Sequence, residues 1–144
     1  MNYPEPPAFV DSFAHRVIGA AIDVHRILGP GYQERTYHEA LAIELELRGI
    51  PFASEVPVQL RYRDRYLATE FRLDLVVAGV IVVELKAVER LMPIHFAQTV
   101  AYLGASGLPL GLVLNFHGET LKDGIRRVLP RRPPSEVSRA LPGE

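Results

Sequence analysis

Asp74, Glu84 and Lys86 are the residues of this 144-residue chain whose types and spacing best suit chemistry. Glu84 and Lys86 stand two apart, so on a strand they project from one face. Two carboxylates held close together repel unless a cation lies between them, and hard divalent ions such as Mg2+ or Mn2+ take oxygen ligands. The backbone carbonyl of Leu85, between the two side chains, can add a third oxygen. A metal held there acidifies its water and neutralises charge developing on a phosphoryl oxygen. Lys86 can hold the attacking water or stabilise the transition state. The plainer alternative is a solvated strand face with a surface ion pair. Leu75 to Val83 is too apolar for a strand wetted on both sides, which favours shelter for the charges that follow it.

A hairpin has to bring these residues together. Val56, Val58, Leu60 and Tyr62 alternate with polar neighbours and read as a strand. Arg63-Asp64-Arg65 reads as a turn, Leu67–Val77 as a second strand and Val80–Ala87 as a third. Phe71, Leu73, Leu75 and Val77 form one apolar set, and Ile81, Val83 and Leu85 another. If both sets share one core, Asp74 lies on the face of Glu84 and Lys86. A two-residue turn at Ala78-Gly79 would pair Val77 with Val80 and separate the carboxylates. A connection with an odd number of residues centred on Gly79 sets Asp74 across from Glu84. Glycine accepts the left-handed conformation that such a loop requires.

Helices are predicted to frame the hairpin. Phe13, Val17, Ala20, Ala21, Val24 and Leu28 recur at helical spacing between Phe9 and Leu28, with Asp11 or Ser12 as cap and Gly29-Pro30-Gly31 as stop. A second helix spans about Gln33 to Arg48, with Gly49 at its C-terminal cap. A third starts at Pro93 and runs to about Ser106. Leu110–Phe116 reads as a buried strand, while Leu121–Leu129 fits a strand or a short helix. The order predicts an α/β domain on one mixed sheet, a three-strand meander plus a further strand flanked by helices. Residues 1–8 read as a loose proline-rich lead-in, 9–129 as the domain, and 130–144 as a Pro/Arg-rich mobile tail.

Two helix faces carry further polar groups. Glu34 and Tyr37 share a face with His38, and His95, Gln98 and Tyr102 recur at i, i+3 and i+7. Gly31-x-x-Glu34-x-x-Tyr37, Asp74, Glu84-Leu85-Lys86 and Gln98-x-x-x-Tyr102, in that order, resemble the GxxExxY family. That family is grouped with the PD-(D/E)xK nucleases, which share a restriction-endonuclease-like core. The similarity runs from about Phe13 to Leu129. The resemblance implies that Asp74 and Glu84 bind the metal and that Lys86 is the catalytic lysine. Glu34 would be the first-helix carboxylate, and Gln98 would orient the lysine or the nucleophile. It further implies metal-dependent hydrolysis of DNA or RNA phosphodiesters. Tyr37, His95, Tyr102, Arg61 and Arg63 are candidates for substrate contact.

Composition bounds the rest. The absence of cysteine excludes disulfides, thiolate zinc sites and thiol nucleophiles, and fits a reducing, cytoplasmic setting. Five histidines occur without zinc-ligand spacing. Gly29-Pro30-Gly31 lacks the lysine of a phosphate loop. Neither a secretory leader nor a membrane span is expected. A net charge of −1 supplies no broad basic surface, so phosphate binding must be local or metal-assisted. That charge also motivates an alternative, a catalytically silent nucleic-acid- or protein-binding module on the same fold; a homo-oligomer is compatible with either. Arg61, Arg63 and Arg65 share parity around the first turn, with Tyr62 and Tyr66 between them. Such a hairpin can touch phosphates and stack bases, or can simply stay soluble by charge. Lys86 beside Glu84 favours the ionised acid, which argues against glycosidase-type general-acid work.

Overall fold

Proline at position 7 starts the first helix by fixing the backbone and offering its carbonyl, which accepts the Val10 amide at 2.9 Å. The computed structural model describes residues 5–131, and α1 runs Ala8–Leu28. Asp11 therefore lies within the first turn and does not cap it; its carboxylate takes Arg127 at 2.6 Å. Glu5 pairs with the same arginine and Pro6 is buried, so this part of the lead-in is docked. The predicted mobile tail begins at Pro130, which is buried; residues 132–144 lie outside the described residues.

Helix α2 spans Glu34–Leu47, and Gly49 follows with φ 67. There the Ile50 amide reaches back to the Leu45 carbonyl at 2.9 Å, closing the helix end. Strands β1 (Phe52–Tyr62), β2 (Arg65–Val77), β3 (Ile81–Lys86), β4 (Leu110–Asn115) and β5 (Ile125–Val128) lie in the order β1-β2-β3-β4-β5. Only β3 and β4 pair in parallel, and α3 (Pro93–Ser106) provides the crossover between them. The ambiguous Leu121–Leu129 segment contains both alternatives, a 3-10 turn at Lys122–Gly124 and then β5.

Both faces of the sheet are covered, which explains why every residue of β4 is buried. One core cluster joins α1 and α2 to Leu75, Val77, Ile81, Val83 and Leu85. The other places Leu103 of α3 with Leu73, Val76, Val82 and Val113. The single-core premise of the sequence reading therefore needs correction. Phe71 and Leu73 pack on the α3 side, whereas Leu75 and Val77 face α1 and α2. The exchange falls at Asp74. The rung between the pairs Ser54↔Leu75 and Val56↔Leu73 is missing, and Glu55 there has φ 51. A residue turned out of the extended region breaks the alternation of side chains, so the strand presents a new face beyond it.

The predicted register survives. Leu75, Val76 and Val77 pair with Val83, Val82 and Ile81, leaving the three-residue connection 78–80 centred on Gly79 at φ 68. Ala78 also sits at φ 53, a left-handed position that parity did not foresee.

Gly124 joins the 3-10 turn to β5 in close contact with β4. A Cβ added there would lie 2.3 Å from the Asn115 carbonyl oxygen, a backbone atom that cannot rotate away. Gly124→Ala is expected to destabilise the fold by about 3 kcal/mol, the upper range for overpacking. A thermal melt unchanged from wild type would contradict this. No helix among the described residues is long and apolar enough to cross a membrane.

Candidate active site

Regular β2–β3 pairing ends at Leu75↔Val83, and the next rung is made by side chains. The Leu85 amide donates to Asp74 Oδ2 at 2.8 Å, and the Asp74 amide donates to Glu84 Oε1 at 3.2 Å. Each carboxylate thus holds the backbone of the opposite strand where the strands part. The two acids face each other as the register argument requires. Within a strand, a residue's N–H and C=O point to the same edge. The Leu85 amide faces Asp74, while the Lys86 carbonyl faces β4 and accepts the Phe116 amide at 2.8 Å. The Leu85 carbonyl therefore opens toward the carboxylates.

Glu84 is only 5% exposed. Burial pushes its carboxyl up to about 9, the negative charge of Asp74 adds to the rise, and Lys86 opposes it. Lys86 favours the ionised acid as expected, but desolvation and Asp74 outweigh the neighbouring ammonium. Tyr102 shows the same electrostatics from the α3 side. Its hydroxyl is held above the usual tyrosine range by burial, then by Glu84 and by Asp74. Its ring stacks on Phe71, with centroids 4.7 Å apart. Half-buried Gln98 lies one turn earlier on the same side of α3, and Lys86, also half-buried, shares the strand face of Glu84.

A cleft of about 630 Å³ opens beside Asp74. One wall is α2, with Glu34, Arg35, His38, Glu39 and Ala42; the strands contribute Ser54, Glu55, Asp74 and Leu85. His38 Nε2 and Ser54 Oγ lie 2.7 Å apart and tie the walls together. Glu34 lines this cleft but does not converge with the other acids. Among the described residues no group of three His, Asp or Glu side chains is close enough to hold an ion.

Tyr37, a candidate for substrate contact, is placed by the structure in the core and outside the cleft lining. It is fully buried, donates its hydroxyl to the Gly29 carbonyl at 2.6 Å and accepts the Tyr32 amide at 3.2 Å. Helical neighbours three apart are offset by about 60°, enough to leave Glu34 in the cleft and Tyr37 in the core. His95 accepts the Met92 amide on Nδ1 at 2.8 Å, which starts α3 and leaves Nε2 free for other contacts. Arg61 and Arg63 lie exposed at the far end of the β1–β2 hairpin.

Sequence reasoning missed Asn115. Its amide donates to the Val88 carbonyl at 2.9 Å and accepts the Val88 amide at 3.0 Å, fixing the chain just beyond Lys86. The available signal was a lone amide ending an apolar parallel strand. His38 with Ser54, and the left-handed Glu55, were also missed. Their placement depends on how β1 meets α2, which neither segment encodes alone.

The donor set suits a hard divalent ion: two facing carboxylates and one outward carbonyl, all oxygen. Mg2+ characteristically keeps several waters and uses one or two protein carboxylates with substrate phosphates, so the absence of a third acid in reach among the described residues does not disqualify the site. Searches among curated proteins and solved structures find no match. The family model described as the PD-(D/E)XK nuclease superfamily matches residues 11–128, nearly all of the described domain. With the mixed five-strand sheet between helical layers and the Asp74, Glu84-x-Lys86 arrangement at its splayed strand ends, the chain belongs to the PD-(D/E)XK nuclease superfamily.

Proposed function

We propose that the protein is a Mg2+- or Mn2+-dependent nuclease of the GxxExxY type, hydrolysing phosphodiester bonds of DNA or RNA in the cleft between α2 and the splayed strands. The observation that carries this reading is the pair of carboxylates, each gripping the other's strand, with Lys86 on the face of Glu84. Asp74, Glu84 and the Leu85 carbonyl would hold the ion, which supplies Lewis acidity to the phosphoryl group and to water. Glu34, across the cleft, would reach the ion's outer waters. Lys86 stabilises the negative charge that builds on the phosphoryl oxygens. Gln98, on the Tyr102 side of α3, orients Lys86 or the attacking water. Asn115 keeps Val88 fixed, and with it the backbone that aims Lys86.

Single- and double-stranded DNA and RNA should be incubated with Mg2+, Mn2+ or EDTA. Cleavage should require metal, and Lys86→Ala should lower kcat by about 10²–10³, the loss typical of removing one charge-stabilising donor. Undiminished cleavage by Lys86→Ala would rule out this mechanism. The lack of a third converging acid among the described residues favours one competitor, a silent binding module. That reading predicts no cleavage and no stabilisation by Mg2+ or Mn2+.

A further inference from the structure

We infer that the far half of the β1–β2 hairpin is an arm that grips single-stranded nucleic acid outside the cleft. This rests on the nuclease reading for its substrate class. The arm is an overhang: β1 and β2 pair out to Tyr62↔Arg65, whereas β3 pairs with β2 only at Leu75–Val77. Residues 61–70 are all exposed, unlike the buried strand segments beneath them. The register shift between Gln59 and Arg61 sets the faces. Arg61 stands across from Tyr66 on one side of the ribbon, and Tyr62 across from Arg65 on the other. This corrects the sequence expectation that Arg61, Arg63 and Arg65 share a face. Each face instead pairs a phenol ring with a guanidinium, Tyr66 with Arg61 and Tyr62 with Arg65.

The tip is organised for contact. The Arg61 Nε–H donates to the Arg63 carbonyl at 3.1 Å, and Arg63 is poised 5.6 Å from the Tyr62 ring centroid. Tyr62 and Tyr66 are 63% and 57% exposed, large apolar surfaces turned to solvent. Arg61, Arg63 and Arg65 against the single acid Asp64 make the tip locally basic on a chain of net charge −1. Guanidinium groups fit phosphates in a forked geometry, and aromatic rings stack on any unpaired base. A duplex keeps its base faces stacked inside, so it would use the arginines and leave the rings idle. A single strand uses both. The arm also connects mechanically to chemistry: its base reaches Asp74 one residue after Leu73, and Phe71 stacks on Tyr102 beside the carboxylates.

The test is binding in EDTA, where cleavage cannot intervene, by fluorescence anisotropy of a labelled single strand and of the matching duplex. The full chain should prefer the single strand. Tyr62→Ala with Tyr66→Ala should weaken single-strand binding by roughly tenfold or more, while Tyr62→Phe with Tyr66→Phe should retain it. Replacing Arg61, Arg63 and Arg65 by glutamine should flatten the slope of log affinity against log salt by about 2. Arg26→Gln, an exposed arginine on α1, serves as the charge control and should leave that slope nearly unchanged. Wild-type binding by the double alanine variant, equal affinity for duplex, or failure of the wild type to bind nucleic acid overturns the proposal. The last outcome would point to an acidic protein partner. Since no cleavage is read, loss of the nuclease reading alone appears as intact binding without metal-dependent hydrolysis.

Discussion

Glu84→Gln is expected to abolish metal-dependent cleavage and, at the same time, to raise the melting temperature of the metal-free protein at neutral pH. The two effects have one cause. Glu84 is buried against Asp74, and its carboxyl is pushed up from 4.5 to about 9 by desolvation and by that neighbour's charge. Between those values the folded protein holds a proton that the unfolded chain has released. Stability from this group therefore falls as pH rises through the window, by up to ~1.4 kcal/mol per pH unit. For a chain of this size that is roughly 3–5 °C in Tm per unit. Glutamine keeps the acceptor oxygen for the Asp74 amide and removes the ionisation. The variant's Tm should vary less between pH 5 and 9 than that of the wild type. A divalent ion must displace the Glu84 proton, so Mg2+ or Mn2+ should stabilise the wild type more at pH 8.5 than at pH 6 and leave Glu84→Gln unmoved. Calorimetric scans at those pH values decide the matter. A wild-type Tm that rises with pH without metal, or a variant stabilised by metal as strongly as the wild type, would refute the argument.

That acidity shift marks a boundary of what the sequence reveals. Alternation and the single glycine between two apolar runs were enough to set Asp74 across from Glu84, because strand parity permits few connections. The helices were legible from period together with their proline and glycine boundaries, and β4 from its unbroken apolar run. The cleft wall was not. Glu55 of β1, at φ 51, stands opposite Asp74 where β2 passes from one core to the other, and no residue type in that stretch announces it. The net upward shift of Glu84 is hidden from the sequence for a related reason. Lys86 is visible two positions away, whereas the layers that strip water from Glu84 come from elsewhere in the chain. Proline 7 was overlooked as a helix start because Asp11 and Ser12 are better cap types, yet Asp11 is drawn toward Arg127 across 116 residues. Local pattern predicts pairing and faces; burial, and everything that burial does to charge, depends on segments far apart.

Tyr37 gives the sharpest test of that distinction, because it sits in a functional-looking motif and does structural work. Its ring stacks on Phe116 with centroids 4.5 Å apart and planes 14° apart, and Phe116 in turn stacks against His25. His25 holds the chain after β4 through the carbonyls of Phe116 and Gly118, at 3.2 and 2.8 Å. The Tyr37 hydroxyl binds the loop that leads into Glu34, through Gly29 and Tyr32. Tyr37→Ala removes a buried aromatic and should cost about 3–5 kcal/mol. That corresponds to a fall of roughly 10–20 °C in Tm. Tyr37→Phe keeps the stack and orphans the Gly29 carbonyl, for about 1–3 kcal/mol. If the tyrosine acts by holding this loop, the phenylalanine variant melts lower, binds substrate with an unchanged KM, and loses kcat only as far as Glu34 loses its place. A substrate-contact role predicts the opposite pattern, an unchanged melt with a raised KM. Melting curves and steady-state kinetics on one preparation of Tyr37→Phe separate the two, because the loop's anchor and the cleft's contents respond to different measurements.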